Sequence, residues 1–423
     1  MLDIKYIRDN HAIVKDAIKN KKVNLDLDSL ISVDERRRDL IQKSETVRSE
    51  QKKTQDRERG TALKAEFKLL ETQLTELENE FAELMLKVPN IPTEDTPIGM
   101  GETENVISKT VGEPTKFKFK AKDHWELAQL HDLIDKERAA KIAGSRFAYL
   151  KGDLVKLQFA IIQFTMNLLT DQNVISEIIE SNKLKISDKP FVAVLPPFLI
   201  RTDAYKASAR LNGTEVTYKL DGDDLWLNAS AEHSLCPMYM NETLDEAKLP
   251  IRYIGYSTAF RREAGTYGKD MEGILRMHQF DKLEMETFSV KEDGFQEHLL
   301  LVAAQEYMMQ KLEIPYHVLL KCTAEIGTPN ARGVDIEAWL PGQNAYRETH
   351  TADYMTDFQA RRLQTKVKRS AGEVELVHTN DATAFAIGRI MIAIMENFQQ
   401  EDGSIKIPKA LHKYTGFAEI KNK

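Results

Sequence analysis

The sequence is poor in cysteine and contains no long hydrophobic run. Cys236 and Cys322 are its only cysteines in 423 residues, too few for a disulfide framework or a cysteine-rich zinc site. The longest clean apolar run near the middle of the chain, 299–304, is far shorter than a membrane-spanning helix requires. Charged residues begin at position 3, which argues against a signal peptide. These absences predict a soluble, cytoplasmic protein with no membrane contact.

The chain also has no excess of positive charge. Lys and Arg number 59 and Asp and Glu number 66, so the formal net charge is −7. This balance excludes a uniformly basic nucleic-acid coat, and any nucleic-acid contact must come from a local patch. The sequence also contains no GxxxxGK[ST] phosphate loop, no GxSxG nucleophile elbow and no HExxH zinc motif, so it offers none of the chemistry that those motifs carry.

Two successive segments near the N-terminus show a heptad pattern. Gly60 lies between the segments and is expected to break the run. The pattern predicts an antiparallel hairpin of two helices, each about 40 Å long for ~27 residues at ~1.5 Å per residue. The seam positions are Leu30, Val33, Arg37, Leu40, Ser44, Val47, Gln51 and Thr54 on the first leg, and Leu63, Phe67, Leu70, Leu74, Leu77, Phe81, Leu84 and Val88 on the second.

The two legs of the predicted hairpin differ in charge. The outgoing leg and the turn are basic and include Arg48, Lys52, Lys53 and Arg57, whereas the returning leg is rich in glutamate. A basic stripe on a projecting rod is suited to contact with a phosphate backbone. A dimerisation or spacer coiled coil with a solvated charged face is the alternative that this pattern leaves open.

The rest of the chain has a different character. Prolines and glycines interrupt residues 89–122, so we place the domain boundary near residue 110, with domains at 1–110 and 111–423. Helical patterns then occupy 125–142 and 151–181, and a long helix is expected at 384–400. Between them lie the strand-like runs FVAVLPP, LWLNAS, YHVLLKC and VDIEAWL. This order predicts an α+β domain around a mostly antiparallel sheet flanked by helices.

One stretch in this second part concentrates chemistry. Residues 258–288 contain two strand-like runs on either side of a polar loop with Gly265, Gly268 and Gly273. An antiparallel hairpin would bring Arg261 near Arg276 and place Phe280 on the same surface. Two guanidinium forks and a flat ring are what a nucleotide needs for its phosphates and its base, although Phe280 taken alone also fits a core position.

This stretch resembles motif 2 of class II aminoacyl-tRNA synthetases, in particular the seryl-tRNA synthetases. FRREAGTYGKD and LRMHQFDKLEM are similar to that family's FRxEAG and RQHQFxKVE patterns. LPPFL at 195–199 resembles the end of motif 1, and AFAIGRIMIAIMENFQ at 384–399 resembles motif 3. HWEL at 124–127, ERAAKIAGSRFAYLKGD at 137–153, DIEAWLPGQNAYRE at 335–348 and DFQARR at 357–362 are also similar, and the N-terminal hairpin resembles the tRNA-binding arm.

The resemblance implies a role for particular residues of this sequence. Arg261 and Arg389 would be catalytic, because both would contact the phosphates of ATP. Glu348 would hold Mg²⁺ together with ATP. The implied ATP-binding residues are Arg261, Arg262, Glu263, Arg276, Met277, Phe280, Glu348, Thr349, His350, Thr351 and Arg389. The implied serine-binding residues are Ser230, Ala231, Glu232, Arg261, Glu284 and Thr383.

Three departures from the family pattern lie in the implied serine pocket. Ser230-Ala231-Glu232 replaces the usual TAE, and HSLCP follows where the family has VPLT. Asp381-Ala382-Thr383 replaces an NGS-like or NAT-like segment, so a carboxylate stands where an amide is usual. A carboxylate near bound ATP would be repelled unless it is paired or turned away. Ser230 and Thr383 also have a purely structural alternative, in which their hydroxyls satisfy backbone groups.

The resemblance therefore implies a homodimeric serine–tRNA ligase. Its substrates would be L-serine, ATP and tRNA(Ser), with tRNA(Sec) as a further acceptor, Mg²⁺ as the metal, no zinc and no DNA partner. Two other classes remain open: a noncatalytic paralogue that binds tRNA, and an amino-acid ligase acting on a carrier protein. The predicted arm argues against the second, because such relatives lack it.

Overall fold

The chain divides into two compact units, Met1–Pro92 with Gly327–Pro329, and Thr93–Ile326 with Asn330–Lys423. The computed structural model describes residues 1–211, 214, 216–263 and 273–421. The division at Pro92 precedes the boundary predicted near residue 110. The reason is that Val106–Val111, inside the proline- and glycine-rich stretch, is a strand that pairs with Tyr316–Leu320 in the sheet of the second unit.

The first unit is helical. Its two long helices form the predicted antiparallel hairpin, but the turn lies at Thr54–Asp56 and not at Gly60, which is inside the second leg. The Asp56 carboxylate caps that leg by accepting from the backbone N–H groups of Glu58 and Arg59, and such a cap fixes where a helix starts. The helices are α1 (Ile4–Asp9), α2 (His11–Asn20), α3 (Leu27–Lys53) and α4 (Arg57–Lys87).

The seam between α3 and α4 holds the hairpin together. Leu30, Val33 and Val47 of α3 and Leu63 and Leu77 of α4 are buried, as the heptad pattern predicts. Aromatic rings of α4 also lie under arginines of α3, with the guanidinium carbon of Arg37 4.7 Å from the ring centroid of Phe81. The seam therefore combines apolar contacts with cation–π contacts that hydropathy alone does not reveal.

The second unit combines helices and strands. Its helices are α5 (His124–Leu130), α6 (Lys136–Ala143), α7 (Asp153–Leu169), α8 (Gln172–Ser181), α9 (Thr202–Ala207), α10 (Glu232–Leu235), α11 (Gly294–Lys311), α12 (Phe358–Leu363), α13 (Ile387–Asn397) and α14 (His412–Thr415). Its strands are β1 (Val106–Val111), β2 (Ile134–Asp135), β3 (Tyr149–Leu150), β4 (Val192–Val194), β5 (Leu199–Arg201), β6 (Leu225–Leu227), β7 (Thr243–Asp245), β8 (Ile251–Phe260), β9 (Gln279–Ser289), β10 (Tyr316–Leu320), β11 (Arg332–Leu340), β12 (Ala345–Thr356), β13 (Lys366–Lys368), β14 (Val374–Leu376), β15 (His378–Ala386), β16 (Ile405–Lys406) and β17 (Glu419–Ile420).

One large sheet organises this unit. Among the described residues it has eight strands in the order β1-β10-β11-β12-β15-β9-β8-β4. Neighbouring strands are antiparallel except for β4, which runs parallel to β8. Helices α7, α11 and α13 contribute many residues to the apolar core packed against the sheet. This architecture confirms the predicted α+β class with its mostly antiparallel sheet.

The long helix expected at 384–400 is shorter, because its first residues belong to β15, and α13 begins only at Ile387. Its apolar residues are buried almost all round, which explains why the sequence shows a continuous hydrophobic run there. Among the residues that the structure describes, no helix has both the length and the hydropathy to cross a membrane.

Candidate active site

The β8–β9 hairpin brings the two predicted arginines together. These strands pair antiparallel from Ile251–Phe288 to Phe260–Gln279, and the Arg261 N–H donates to the His278 carbonyl at 3.0 Å just beyond the last pair. The guanidinium carbon of Arg261 lies 5.3 Å from the ring centroid of Phe280.

The other arginine of the hairpin is anchored by a carboxylate. Arg276 Nη1 is 3.3 Å from Glu263 Oε2, and Arg146 Nη1 donates to the Glu263 carbonyl at 2.6 Å. The connecting residues 264–272, which include Gly265 and Gly268, lie outside the described part of the chain. The arginine–carboxylate contact holds the two ends of the described hairpin in register.

The hairpin forms one wall of an open cleft. The opposite wall comes from β12, β15 and the first turn of α13. A cleft lined by arginines, carboxylates and one aromatic ring is suited to a nucleotide. Its lining residues are Arg261, Glu263, Ile274, Leu275, Arg276, Met277, Phe280, Lys282, Glu348, Thr349, Thr351, Thr383, Ala386, Gly388 and Arg389.

Glu348 and Arg389 contact each other on the cleft wall that β12 and α13 form. Arg389 Nη1 donates to the Glu348 carbonyl at 2.8 Å and lies 3.1 Å from its Oε1. Burial would raise the pKa of Glu348, but Arg389, Lys321, Arg261 and Lys282 together more than offset that effect and hold the pKa below its usual range. The carboxylate is therefore ionised at neutral pH and half-exposed to the cleft.

The donor set of the cleft fits magnesium. Mg²⁺ prefers hard oxygen ligands and is usually held by one or two protein carboxylates together with substrate phosphates. Glu348 offers an ionised, half-exposed carboxylate, and Thr351 places a hydroxyl nearby in the cleft lining. Within the described ranges, no three His, Cys, Asp or Glu side chains cluster as metal ligands, so a cation here would need the substrate's own oxygens.

Beneath the cleft lies a buried polar cluster, here called the acid–lysine cluster: Ser230, Glu232, Lys282 and Glu284. Lys282 Nζ donates to Ser230 Oγ at 3.0 Å and lies 2.7 Å from Glu284 Oε2. Ser230 Oγ in turn donates to the Glu232 carboxylate. Because Thr383 is the register partner of Glu284 on the adjacent strand β15, these predicted serine-binding residues do converge.

The two carboxylates of the cluster have opposite pKa shifts. Burial raises the pKa of Glu284 well above its ordinary value. Burial acts on Glu232 in the same direction, but the Lys282 ammonium, together with the contacts to His233 and Arg210, more than compensates and lowers the pKa of Glu232. An incoming ammonium group beside Glu284 would favour its ionised form, so the cluster is suited to receive a substrate amine.

Lys282 is the cluster residue that sequence reasoning missed. It sits on β9 two residues before Glu284, and both side chains point to the same face because a strand alternates with a period of two. The signal that could have found it is the run Lys282, Glu284 and Glu286 at alternate positions, with the apolar residues Leu283 and Met285 between them. Charged side chains are rarely buried unless they are paired, so three of them on one face of a buried strand point to a polar cluster.

The unusual carboxylate of Asp381 is paired. Its Oδ2 accepts from the Arg210 guanidinium, which also lies 3.8 Å from Asp353 Oδ2. Burial opposes the charge on Arg210, but the two carboxylates outweigh it and raise the pKa of Arg210. The departure from the family pattern at 381 therefore adds a buried ion pair.

Apart from Ser230, Glu232 and Glu284 of the acid–lysine cluster, three residues of the predicted site lie outside the cleft lining. The His350 ring is fully buried and contacts Phe385 at 5.1 Å between centroids. The Arg262 guanidinium lies over the Tyr218 ring at 4.5 Å. Ala231 is fully buried beside Ser230.

The predicted tRNA-binding residues lie at the tip of the helical hairpin in the first unit. Arg48, Lys52, Lys53 and Arg57 are all exposed. Of the described residues, none forms an ion pair with any of these four side chains. Near the base of the hairpin, by contrast, Asp34 is buried and lies within 3.4 Å of three arginines, namely Arg8, Arg37 and Arg38. The charge available to a ligand is therefore concentrated at the tip.

The antiparallel sheet and its arginine-lined cleft define a class II aminoacyl-tRNA synthetase core. In agreement, residues 216–398 match the family model described as tRNA synthetase class II core domain (G, H, P, S and T). Residues 1–57 match the model described as seryl-tRNA synthetase N-terminal domain.

Full-length comparisons agree with these matches. The chain is 37% identical to the serine–tRNA ligase of Nitrosopumilus maritimus, covering 98% of this chain and 99% of that protein. It is 36% identical to the serine–tRNA ligase of Symbiobacterium thermophilum, with 98% of each chain covered. The crystal structure of seryl-tRNA synthetase from Pyrococcus horikoshii complexed with ATP superimposes with a TM-score of 0.90 at 34% identity, covering 100% of both chains. The chain belongs to the seryl-tRNA synthetase family, which confirms the resemblance seen in the sequence.

Proposed function

We propose that this protein is a serine–tRNA ligase, which activates L-serine with ATP and transfers the seryl group to tRNA(Ser). One observation carries the proposal: the cleft lined by Arg261, Phe280 and Arg389 opens onto Lys282, which also contacts Ser230 and Glu284. A nucleotide site and an amino-acid site thus share one wall, as adenylation requires.

The first step joins the two substrates. A carboxylate oxygen of serine attacks the α-phosphorus of ATP, the bond from that phosphorus to the bridging oxygen breaks, and pyrophosphate leaves. Negative charge builds on the phosphoryl oxygens, where Arg261, Arg276 and Arg389 stabilise it. No side-chain nucleophile is needed, which is consistent with the absence of any such motif.

Magnesium fits the proposal as a partner of ATP. When bound, Mg²⁺ offsets charge on the phosphate oxygens. Glu348 would hold it, because its carboxylate is ionised and borders the cleft. Arg389 pairs with Glu348 in this structure. With Mg²⁺ and ATP bound, Arg389 would exchange part of this contact for contacts to phosphate oxygens.

In the second step the amino acid moves to the tRNA. A terminal ribose hydroxyl of tRNA(Ser) attacks the carbonyl carbon of seryl-adenylate, and AMP leaves. We assign tRNA binding to the arm and linker within 1–110, through the hairpin tip, and adenylation to 111–423. A homodimer, a cytoplasmic location and tRNA(Sec) as a second acceptor stay predictions of the family resemblance.

Pyrophosphate exchange with each of the twenty amino acids tests the proposal. Serine-dependent exchange that requires Mg²⁺ and ATP is the expected result. No exchange with any amino acid would instead support a noncatalytic paralogue. Exchange without charging of tRNA(Ser), together with transfer to a carrier protein, would support the alternative ligase class.

A further inference from the structure

A line of hydrogen bonds leads from the acid–lysine cluster into the protein. Tyr205 Oη lies 2.6 Å from His233 Nδ1, and His233 Nε2 lies 3.3 Å from Glu232 Oε1. Tyr205 belongs to α9, and His233 and Glu232 are the first turn of α10. All three side chains are buried, with exposed fractions of 0%, 7% and 5%.

The partners of His233 determine its tautomer. The backbone N–H of Ala229 points to Nδ1 at 3.3 Å, and an amide N–H can only donate. Nδ1 must therefore be the unprotonated nitrogen, which also accepts from the Tyr205 hydroxyl. The ring hydrogen then sits on Nε2 and is donated to Glu232 Oε1. Burial lowers the pKa of His233, which agrees with a neutral ring.

Glu232 is consequently held from two sides. His233 donates to Oε1, and Ser230 Oγ donates to Oε2. A carboxylate has about four acceptor positions, so two fixed donors restrict its rotation and still leave capacity for a further donor. A substrate hydroxyl is a donor of this kind.

We propose that His233 is a positioning residue, which orients the Glu232 carboxylate to accept the hydroxyl of the amino-acid substrate and so sets the preference for serine over alanine. This inference rests on the proposed function. His233 also lies in the HSLCP segment, where this chain departs from the VPLT of the family pattern. The orientation of Glu232 in this protein would then depend on a residue that the usual pattern does not contain.

Three variants separate positioning from packing. His233→Leu fills the space but removes both ring nitrogens, whereas His233→Gln keeps an N–H donor at the distance of Nε2. Tyr205→Phe removes only the hydroxyl behind the ring. For each variant, serine-dependent and alanine-dependent pyrophosphate exchange, the KM for ATP and the melting temperature are measured.

We expect His233→Leu to raise the serine KM about tenfold and to lower the serine-to-alanine ratio of kcat/KM by a similar factor, because one oriented acceptor is removed. The KM for ATP should stay within about twofold, and the alanine reaction should change little, since alanine has no hydroxyl to place. His233→Gln should recover most of the serine preference. Tyr205→Phe should raise the serine KM by about threefold, at the low end for one hydrogen bond.

A folded His233→Leu variant with wild-type serine KM and serine-to-alanine ratio would overturn the inference. If that variant does not fold, Tyr205→Phe decides: an unchanged serine KM there overturns the inference as well. Failure of the wild-type chain to exchange pyrophosphate with serine would overturn the proposed function and this inference with it. If the wild-type chain exchanges pyrophosphate with serine and the variants keep its serine KM, only the inference is overturned.

Discussion

Arg261 links the cleft to the loop that carries the predicted serine-binding residues. Its Nε donates to the Ala229 carbonyl at 3.0 Å, one residue before Ser230, and its guanidinium faces the Phe280 ring. A charge fixed in this way needs no reorganisation when negative charge develops on a phosphate. The strength of such preorganised donors makes a clear prediction for this side chain.

Arg261→Ala should lower the kcat of serine-dependent pyrophosphate exchange by about 10²–10³, the loss typical of one preorganised donor. The variant should fold, because Arg261 is only partly buried. Arg201→Ala provides a matched control, since Arg201 is an arginine of the same unit whose side chain is 72% exposed. Exchange by Arg261→Ala within about threefold of wild type would contradict the assigned role.

The Arg210–Asp381 pair gives a second prediction at this scale. Asp381→Asn leaves the buried Arg210 guanidinium with only the more distant Asp353. Breaking one side of a buried pair commonly costs about 3–5 kcal/mol, so the free energy of unfolding in urea should fall by that order. Arg210→Gln in the same chain should recover part of the loss, because it removes the uncompensated guanidinium, although the buried Asp353 carboxylate then also loses its contact with Arg210.

A double-mutant cycle measures this coupling. The expected interaction energy between the two substitutions is more than about 1 kcal/mol, since the groups are in direct contact. Purely additive losses would show that Asp381 and Arg210 act independently. This pair could not be read from the sequence, because its members are 171 positions apart and Arg210 lies in a stretch without a recognisable pattern.

At the scale of elements, the periodic segments were the predictable ones. The heptads identified α3 and α4, and apolar runs marked β10 and β11, because burial of one face or both leaves a period in the sequence. The turn of the hairpin was placed wrongly at Gly60, since the capping carboxylate of Asp56 outweighs the low helix propensity of one glycine. The strand Val106–Val111 is not apparent from the sequence, because it is an edge strand with mostly exposed side chains and therefore shows no alternation of buried and exposed residues.

The candidate site shows the same division. Arg261, Arg276 and Phe280 were found because one hairpin carries them, and hairpin pairing follows from the local sequence. The part played by Lys282 and His233 depends on the contact of Lys282 with Ser230, 52 positions away, and on the contact of His233 with Tyr205, 28 positions away. Tertiary packing determines such contacts, and the periodicity of the sequence does not reveal them.

The exposed tip of the hairpin makes a prediction for tRNA binding. Reversing Arg48, Lys52 and Lys53 to Glu should raise the KM for tRNA(Ser) in aminoacylation by tenfold or more and leave serine-dependent pyrophosphate exchange unchanged. The slope of log affinity against log salt should also decrease by roughly 0.7–0.9 for each phosphate that the tip no longer neutralises. Filter binding at several salt concentrations measures the slope.

The matched control for this charge reversal changes three exposed lysines of the other unit, Lys183, Lys185 and Lys409, to Glu. Both triple variants shift the net charge equally, so a general electrostatic effect would appear in each. An unchanged tRNA KM and salt slope in the tip variant would assign the hairpin to assembly or spacing. Equal losses in the two variants would indicate long-range repulsion in place of a specific contact.

At the scale of the whole molecule, the sheet of the second unit assembles the site from segments that are distant in sequence, and the same packing buries ionisable groups away from the site. His298 on α11 is fully buried, and Arg332 Nη1 donates to its Nε2 at 2.8 Å. Arg332 also pairs with Asp95 at 2.8 Å. Burial and the adjacent guanidinium together lower the pKa of His298 to about 3.

The sign of the resulting pH dependence follows from that shift. An unfolded histidine has a pKa near 6.5, so between about pH 6.5 and pH 3 the unfolded chain binds a proton that the folded chain refuses. The stability that comes from neutral His298 is complete above about pH 6.5 and is lost as the pH falls toward 3. The slope from this one group is at most about 1.4 kcal/mol per pH unit.

His298→Gln should therefore flatten the acid limb of the stability curve. Glutamine retains a carbonyl oxygen that can accept from Arg332 but has no proton to bind in this range, so the variant loses the pH-dependent part and keeps the hydrogen bond. Urea unfolding at intervals from pH 7 to pH 4 gives the free energy for both proteins. The free energy of unfolding of the wild type minus that of His298→Gln should decrease steadily as the pH falls.

His317→Gln is the matched control. His317 is less buried, and partial burial lowers its pKa, so this variant should flatten the curve less. Parallel curves for wild type and His298→Gln over the whole range would show that His298 is protonated equally in the folded and unfolded chains, contrary to its burial beside Arg332.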